Sequence, residues 1–330
     1  MIQIMLPVRL RKSSLVLLSL MAAHAAGCAR EKPADAVAPD SQSSGVAASG
    51  QAKPETALRA PFDLASGRPV VMMSVNGKGP YPFVFDTGAP GLLLMKSLAD
   101  ELALESVGVA RVNSPAGGEP VEMNVVRIES IDVGGASAHD VRAQVMDFGD
   151  GRLGAGVVGP AMFRDYGRVA LDFAANQLII GGDVEGADGA RWIAFGPSAP
   201  LLDADIVIGE ISMPAHIDTG APHVLSVPHS YADRLPLAGP VTVIGMARTI
   251  DREFEIKSAP IAASARLGDA EIPLTDIRFF DIPFANLGSG GLRGLMLEID
   301  WTGERFRLDG VATPVEPPPA RVRVERPAAE

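Results

Sequence analysis

The chain is short of the residues that several common readings would need. It holds one cysteine in 330 residues, so no disulfide can form within it and no cysteine-rich metal site can be assembled. Tryptophan and tyrosine number two and three, against 35 glycines and 27 prolines, a balance that favours short strands and tight turns over long helices. Basic residues are outnumbered 29 to 40, leaving a net charge of −11. No basic face is visible to neutralise phosphates, which argues against nucleic acid as a partner. Long apolar runs are also missing, since Leu15–Ala23 is too short for a comfortable membrane span. What is present, 47% hydrophobic and 21% charged residues, predicts a folded body of one large domain or two ordinary ones.

The two ends read differently from the middle. Arg9, Arg11 and Lys12 precede the short apolar run, and small residues follow it, so residues 1–27 read as an export signal. Ala25-Ala26-Gly27-Cys28 resembles the end of a bacterial lipoprotein signal, which implies cleavage before Cys28 and lipidation of its thiol. The resemblance places the protein on the periplasmic side of a membrane, tethered by lipid. Ala29 rather than Asp follows the cysteine, which implies the outer membrane where one exists. Residues 28–60 have almost nothing to bury and read as a tether; residues 311–330 are Pro-rich and alternately charged and read as a tail.

Between them the chain repeats itself. Asp86-Thr87-Gly88-Ala89-Pro90 recurs as Asp218-Thr219-Gly220-Ala221-Pro222, each behind apolar residues. Ala99-Asp100-Glu101-Leu102 is answered by Ala232-Asp233-Arg234-Leu235, Val133-Gly134 by Leu267-Gly268, and Leu171-Asp172-Phe173 by Ile299-Asp300-Trp301. Matched features kept in one order predict two tandem units, residues 61–183 and 203–310, joined by 184–202. Within them Val70–Val75, Pro82–Phe85, Val125–Val133, Val141–Asp147, Ala262–Leu267 and Ile272–Asp281 read as strands. Met95–Leu104 reads as a helix, with a counterpart beginning at Pro228.

A single Asp-Thr-Gly is most simply a turn. Two of them at the tips of related strands are different, because a pseudo-twofold axis can bring both carboxylates together. Two carboxylates in contact cannot both ionise easily, so they share a proton. One then takes a proton from a water that attacks a peptide carbonyl while the other protonates the carbonyl oxygen, the division of labour on which aspartic proteases rely. The chain resembles the aspartic peptidases, particularly the bacterial retropepsin-like branch with two units per chain. The resemblance rests on Phe85-Asp86-Thr87-Gly88-Ala89 with Val157-Val158-Gly159, and on Ile217-Asp218-Thr219-Gly220-Ala221 with Leu287-Gly288.

That resemblance implies a mainly β fold, two retropepsin-like barrel lobes about a pseudo-twofold axis, with catalytic Asp86 and Asp218. Thr87 and Thr219 would bond across the axis, with Gly88, Ala89, Gly220 and Ala221 completing the loops. Substrate-covering flaps are expected at Asn113–Pro120, with Gly117 and Gly118, and at Ile244–Thr249, with Gly245 and Met246. Two features depart from the family: Asn286 stands where an apolar residue is usual, and the first flap lacks the tyrosine of pepsins.

His216 and His223 bracket the second Asp, but they have no matching partners in the first unit and no acidic or cysteine ligand set beside them, so no metal is expected. Asp172 and Asp300, at strand ends, read as turn-closing residues. The activity expected is an aspartic endopeptidase without cofactor, acting as a monomer on peptide or unfolded protein. Two rivals stay open: a peptide-binding lipoprotein of the same fold without turnover, and a cleft completed by homodimerisation.

Overall fold

The computed structural model describes residues 16–17, 56–112, 120–147, 153–183, 191–248 and 253–315. Cys28, Gly117 and Gly118 lie outside the described residues, as do most of the expected signal, tether and tail.

The fold is mainly β and consists of two closed six-stranded barrels in tandem. The first is built from Val70–Val75, Lys78–Phe85, Gly156–Val158, Leu92–Met95, Ala136–Met146 and Val121–Val133, and pairing of Val121–Val133 with Val70–Val75 closes it. The second runs in the same order through Asp203–Ile208, Ile211–Asp218, Ala285–Gly288, Leu225–Pro228, Ala270–Phe280 and Glu253–Leu267, closed by pairing of Glu253–Leu267 with Asp203–Ile208. In each barrel the strand that leads to the Asp pairs in parallel with the short strand that carries or precedes the later Gly.

Alternation explains how these runs become strands. Phe83 and Phe85 point into the main core, as do Leu92 and Leu94, while Val84 and Leu93 point to the outer face. Ala215, Ile217, Ile277 and Phe279 do the same work in the second barrel.

The strands are longer than their apolar patterns suggest. Lys78–Phe85 starts just after a two-residue turn at Asn76-Gly77, and Glu253–Leu267 extends nine residues before the expected Ala262. The extra length of the first is largely exposed, and the apolar residues that the second buries, Ile256, Ala259 and Ile261, are spaced too irregularly to announce a strand; backbone ladder bonds hold both. The expected helices are short. Lys96–Glu101 is α-helical and buries Leu98 and Ala99, but its counterpart His229–Arg234 is a 3₁₀ turn that buries no residue. With only Tyr231 and Ala232 half-buried against the core, that segment gains too little from packing to extend into an α-helix.

A third structure joins the barrels. Arg168–Asp172 pairs on one side with Gln177–Ile180 and on the other with Leu295–Asp300, which pairs in turn with Arg305–Gly310. Gln177–Ile180 also pairs with Leu58–Asp63. The last hairpin among the described residues is thereby hydrogen-bonded to a strand from the first half. Glu298 is buried in this sheet between Arg168 and Arg307; its Oε1 accepts from Arg168 Nε, and its Oε2 accepts from Arg307 Nε at 2.7 Å. Asp172 and Asp300 close turns through Oδ1, accepting from the N–H groups of Ala174 and Ala175 and of Gly303. Separately, Val16–Leu17 pairs in parallel with Ala247–Arg248.

Candidate active site

Asp86 directly follows its strand and Asp218 ends its own, and both are buried, at 4% and 0% exposure. The loops that carry them are clasped to each other across the axis. Thr87 N–H donates to Thr219 Oγ1 at 3.0 Å, and Thr219 N–H donates to Thr87 Oγ1 at 3.1 Å. Each hydroxyl then donates to a carbonyl of the opposite barrel, Thr87 Oγ1 to Ile217 and Thr219 Oγ1 to Phe85, both at 2.7 Å. Four buried bonds therefore fix one loop against the other, and a hydroxyl beside each Asp is what makes this possible.

The loop backbone also holds the carboxylates. Asp86 Oδ1 accepts from Gly88 N–H at 2.7 Å and, across the axis, from Gly220 N–H at 3.1 Å. Asp218 Oδ1 accepts from Ala221 N–H at 3.1 Å. Ala89 and Ala221 are buried in the loops and offer no side-chain hydroxyl.

Gly159 and Gly288 lie beneath the two loops, and close approach explains why they are glycines. A Cβ on Gly159 would meet Ala89 O at 2.0 Å, and one on Gly288 would meet His223 O at 2.2 Å. Ser289 supports the second loop from below, with its Oγ 2.8 Å from Ala221 O and also against Gly67 O.

The two halves are not equivalent. Asn286 stands on the strand paired with Ile211–Asp218, and its Nδ2 donates to Asp218 Oδ2 at 2.8 Å. At the corresponding place beside Asp86 is Val157, which can donate nothing. Arg68, from the segment leading into the first barrel, reaches across to the second loop and donates through Nε to Gly220 O at 2.6 Å. The sequence marks Asn286 only as a departure and does not single out Arg68, since nothing local links either residue to a loop so distant along the chain.

The second loop is also one residue longer. Leu92 pairs opposite Val158 in the first barrel, and Leu225 opposite Leu287 in the second, so the return strands correspond at a spacing one larger than the Asp residues do. The surplus sits at His223-Val224, where the repeat sets His223 against Gly91. His223 is buried, and burial with the nearby Arg278 and Arg68 charges pushes its imidazole well below the ordinary histidine range. It is neutral at neutral pH. His216 lies apart, with Nδ1 2.9 Å from Asp203 Oδ1 but outside hydrogen-bonding alignment. Burial tends to raise Asp203, but the His216 contact and bonding from Ser198 outweigh it and hold that carboxyl below the usual range.

Of the second flap candidate, Ile244–Arg248 lies in a long hairpin arm, whereas residues 113–119 of the first lie outside the described residues. Residues 113–119 connect Ser106–Val112 to Val121–Val133, and 249–252 connect Thr242–Arg248 to Glu253–Leu267. Gly245 and Met246 lie in the ascending arm of the second hairpin, opposite Ile256 and Glu255, and Met246 is exposed. Among the described residues, no group of three or more His, Cys, Asp or Glu is placed to hold a metal ion. No helix there is long and apolar enough to cross a membrane.

Paired barrels that present two clasped Asp loops define an acid-protease architecture. Residues 71–160, which contain Asp86, its loop and Gly159, match the family model described as aspartyl protease. No curated protein matches the chain. The family match supports protease chemistry for the chain, and the place of the second loop in it rests on the geometry described above.

Proposed function

We propose that this protein is an aspartic endopeptidase whose dyad is Asp86 and Asp218, both supplied by one chain. The observation that carries the reading is the reciprocal Thr87–Thr219 clasp, which holds two carboxylate-bearing loops together as no simple turn requires. In the reaction, one carboxylate removes a proton from water as its oxygen bonds to the peptide carbonyl carbon. The protonated partner gives its proton to the carbonyl oxygen. Collapse of the tetrahedral species breaks the C–N bond, and the amine leaves with a proton returned by the dyad.

The second reading is a peptide-binding protein without turnover. Asn286 favours it, because its bond to Asp218 Oδ2 engages a carboxylate oxygen with a fixed donor. One experiment separates the two. The purified full chain is incubated with a denatured protein, with and without a pepstatin-type transition-state mimic, beside Asp86→Asn and Asp218→Asn. Inhibitable cleavage that either substitution abolishes, with the double change costing little more, is expected for residues acting as one unit. Cleavage near wild-type level in either single variant sinks the endopeptidase reading.

A dyad within one chain favours action as a monomer, and activity per chain that climbs with concentration would favour the homodimer instead. For location we propose export and a lipid anchor on Cys28, supported by the basic and apolar order of residues 9–23 and by the lone cysteine after Ala25-Ala26-Gly27. Cys28→Ser should move the protein into the soluble periplasmic fraction or leave its precursor uncut. Processed Cys28→Ser protein that still sediments with membranes refutes the anchor.

A further inference from the structure

Alternation along the two catalytic strands defines which surface the substrate meets. Phe85 and Ile217 point into the core, so Val84 and Asp86 share the opposite face, as do His216 and Asp218. Residues paired in register on neighbouring strands extend that face sideways. In the first barrel the row through Val84 runs Val70, Val84, Val157, Leu93, Gln144 and Val125, one residue from each of its strands. In the second barrel the row through His216 runs Asp203, His216, Asn286, Ser226, Arg278 and Ser258. The first row is apolar but for Gln144. The second is polar at every position.

The two faces also differ in how they are completed. Val84, Leu93 and Val157 form an apolar cluster with Ala89 of the catalytic loop and Met123 of the first hairpin. Across the axis Ser226 and Asn286 are as deeply buried, yet Ser226 Oγ and Asn286 Oδ1 have no hydrogen-bond partner among the described residues. The same holds for Arg278 Nε, and the buried His223 ring lies beside them against the Asn286 backbone. Native proteins rarely leave so many buried polar atoms unpaired in one place, and a ligand is one way to satisfy them.

We propose that the cleft is chemically lopsided: the first barrel receives an apolar substrate side chain, and the second receives an acidic one, with Arg278 as its anchor. This rests on the endopeptidase reading and names its substrate class. An apolar side chain entering the second half would leave the Arg278 and Ser226 donors buried without partners. A basic one would meet the Arg278 and Arg68 charges. A carboxylate accepts from these donors, and a charge-assisted bond to guanidinium is the strongest contact they can make. Arg278 is half-buried, with Asp276 the nearby opposing charge, so it is partly dehydrated without being sealed off.

The test is a digest of a mixed peptide library by the full chain, with cleavage sites read by mass spectrometry. Matched peptides that differ only as Glu, Gln or Lys at the enriched position then follow. Asp and Glu should be enriched on one side of the cut and apolar residues on the other. The Glu-to-Gln ratio of kcat/KM should be about tenfold or more in the wild type and should fall toward one in Arg278→Gln, which installs the side chain of Gln144. Should that variant fail to fold, Ser226→Ala should lower the ratio and Arg278→Lys should keep Glu ahead of Lys. Cleavage with apolar preference on both sides, or a Glu preference unchanged in these variants, overturns the proposal and leaves the endopeptidase standing. If no peptide is cut, the endopeptidase reading falls and this inference with it.

Discussion

Replacing Thr87 by valine keeps the shape of the loop and removes one oxygen. That oxygen serves two bonds between the barrels, donating to Ile217 O at 2.7 Å and accepting from Thr219 N–H at 3.1 Å. Both backbone groups would remain buried without a partner, because valine fills the space that water would need. At about 1–3 kcal/mol for each stranded group, the substitution should cost roughly 2–6 kcal/mol. Thr219→Val strands a different pair, Thr87 N–H and Phe85 O, and should cost a similar amount. The double variant then forfeits a sum comparable with the whole stability of an ordinary domain, about 5–15 kcal/mol. Thr87→Ser keeps the hydroxyl and should stay close to wild type. Urea unfolding followed by fluorescence and by turnover reads all four. The single variants should lose turnover before fluorescence, since the clasp loosens before either barrel melts. A Thr87→Val protein within about 0.5 kcal/mol of wild type, with full activity, would refute the claim that the clasp organises the site.

Other outcomes follow from the same structure. Glu298→Ala leaves Arg168 and Arg307 facing each other in a buried sheet and should cost about 3–5 kcal/mol by chemical denaturation. Gly159→Ala drives a methyl group against Ala89 O and should suppress turnover more than it lowers the unfolding midpoint, read by comparing kcat with Tm. His223 is held neutral in the fold and protonates near pH 6.5 once unfolded. The unfolded state therefore takes up the extra proton, and stability should fall as pH drops below that value, by up to about 1.4 kcal/mol per unit. His223→Leu should flatten this slope between about pH 5 and pH 7 in urea titrations. Asp203 is depressed below its reference value of 3.8, so its contribution should be present above that pH and vanish as pH falls through the folded value. The stability gap between wild type and Asp203→Asn should accordingly close in strong acid.

Much of this was legible in the sequence because the repeat exposes it. A doubled Asp-Thr-Gly-Ala with ordered flanking matches announces two units, and apolar alternation around each copy places them on strand tips. The two threonines could be assigned a crossing role only through the family resemblance, since no pattern in one chain reveals which hydroxyl meets which loop. Asn286 was visible as an oddity, but its bond to Asp218 depends on strand pairing between residues far apart in sequence. Arg68 and the Glu298 pair with Arg168 and Arg307 were hidden for the same reason. The extra residue at His223-Val224 was concealed by the matching Ala-Pro before it, and only strand register exposes it. The polar row needed register as well. Its members are scattered from Asp203 to Asn286 and form a line only when six strands are laid side by side.

The joining sheet has a bearing on when the protein becomes competent. A chain emerges N-terminus first, at about 5–20 residues per second when it is being synthesised. The first barrel can therefore form early, but Arg168–Asp172 then stands as an open edge until Leu295–Asp300 arrives, after all six strands of the second barrel. An unpaired edge is a template for wrong partners, which gives the young chain a reason to need escort. The same delay acts as a timer. Asp86 is in place early but lacks its companion loop, and the strand that locks the halves together is among the last to appear. A chain interrupted before the second Asp loop carries only one of the two loops that the threonines clasp together.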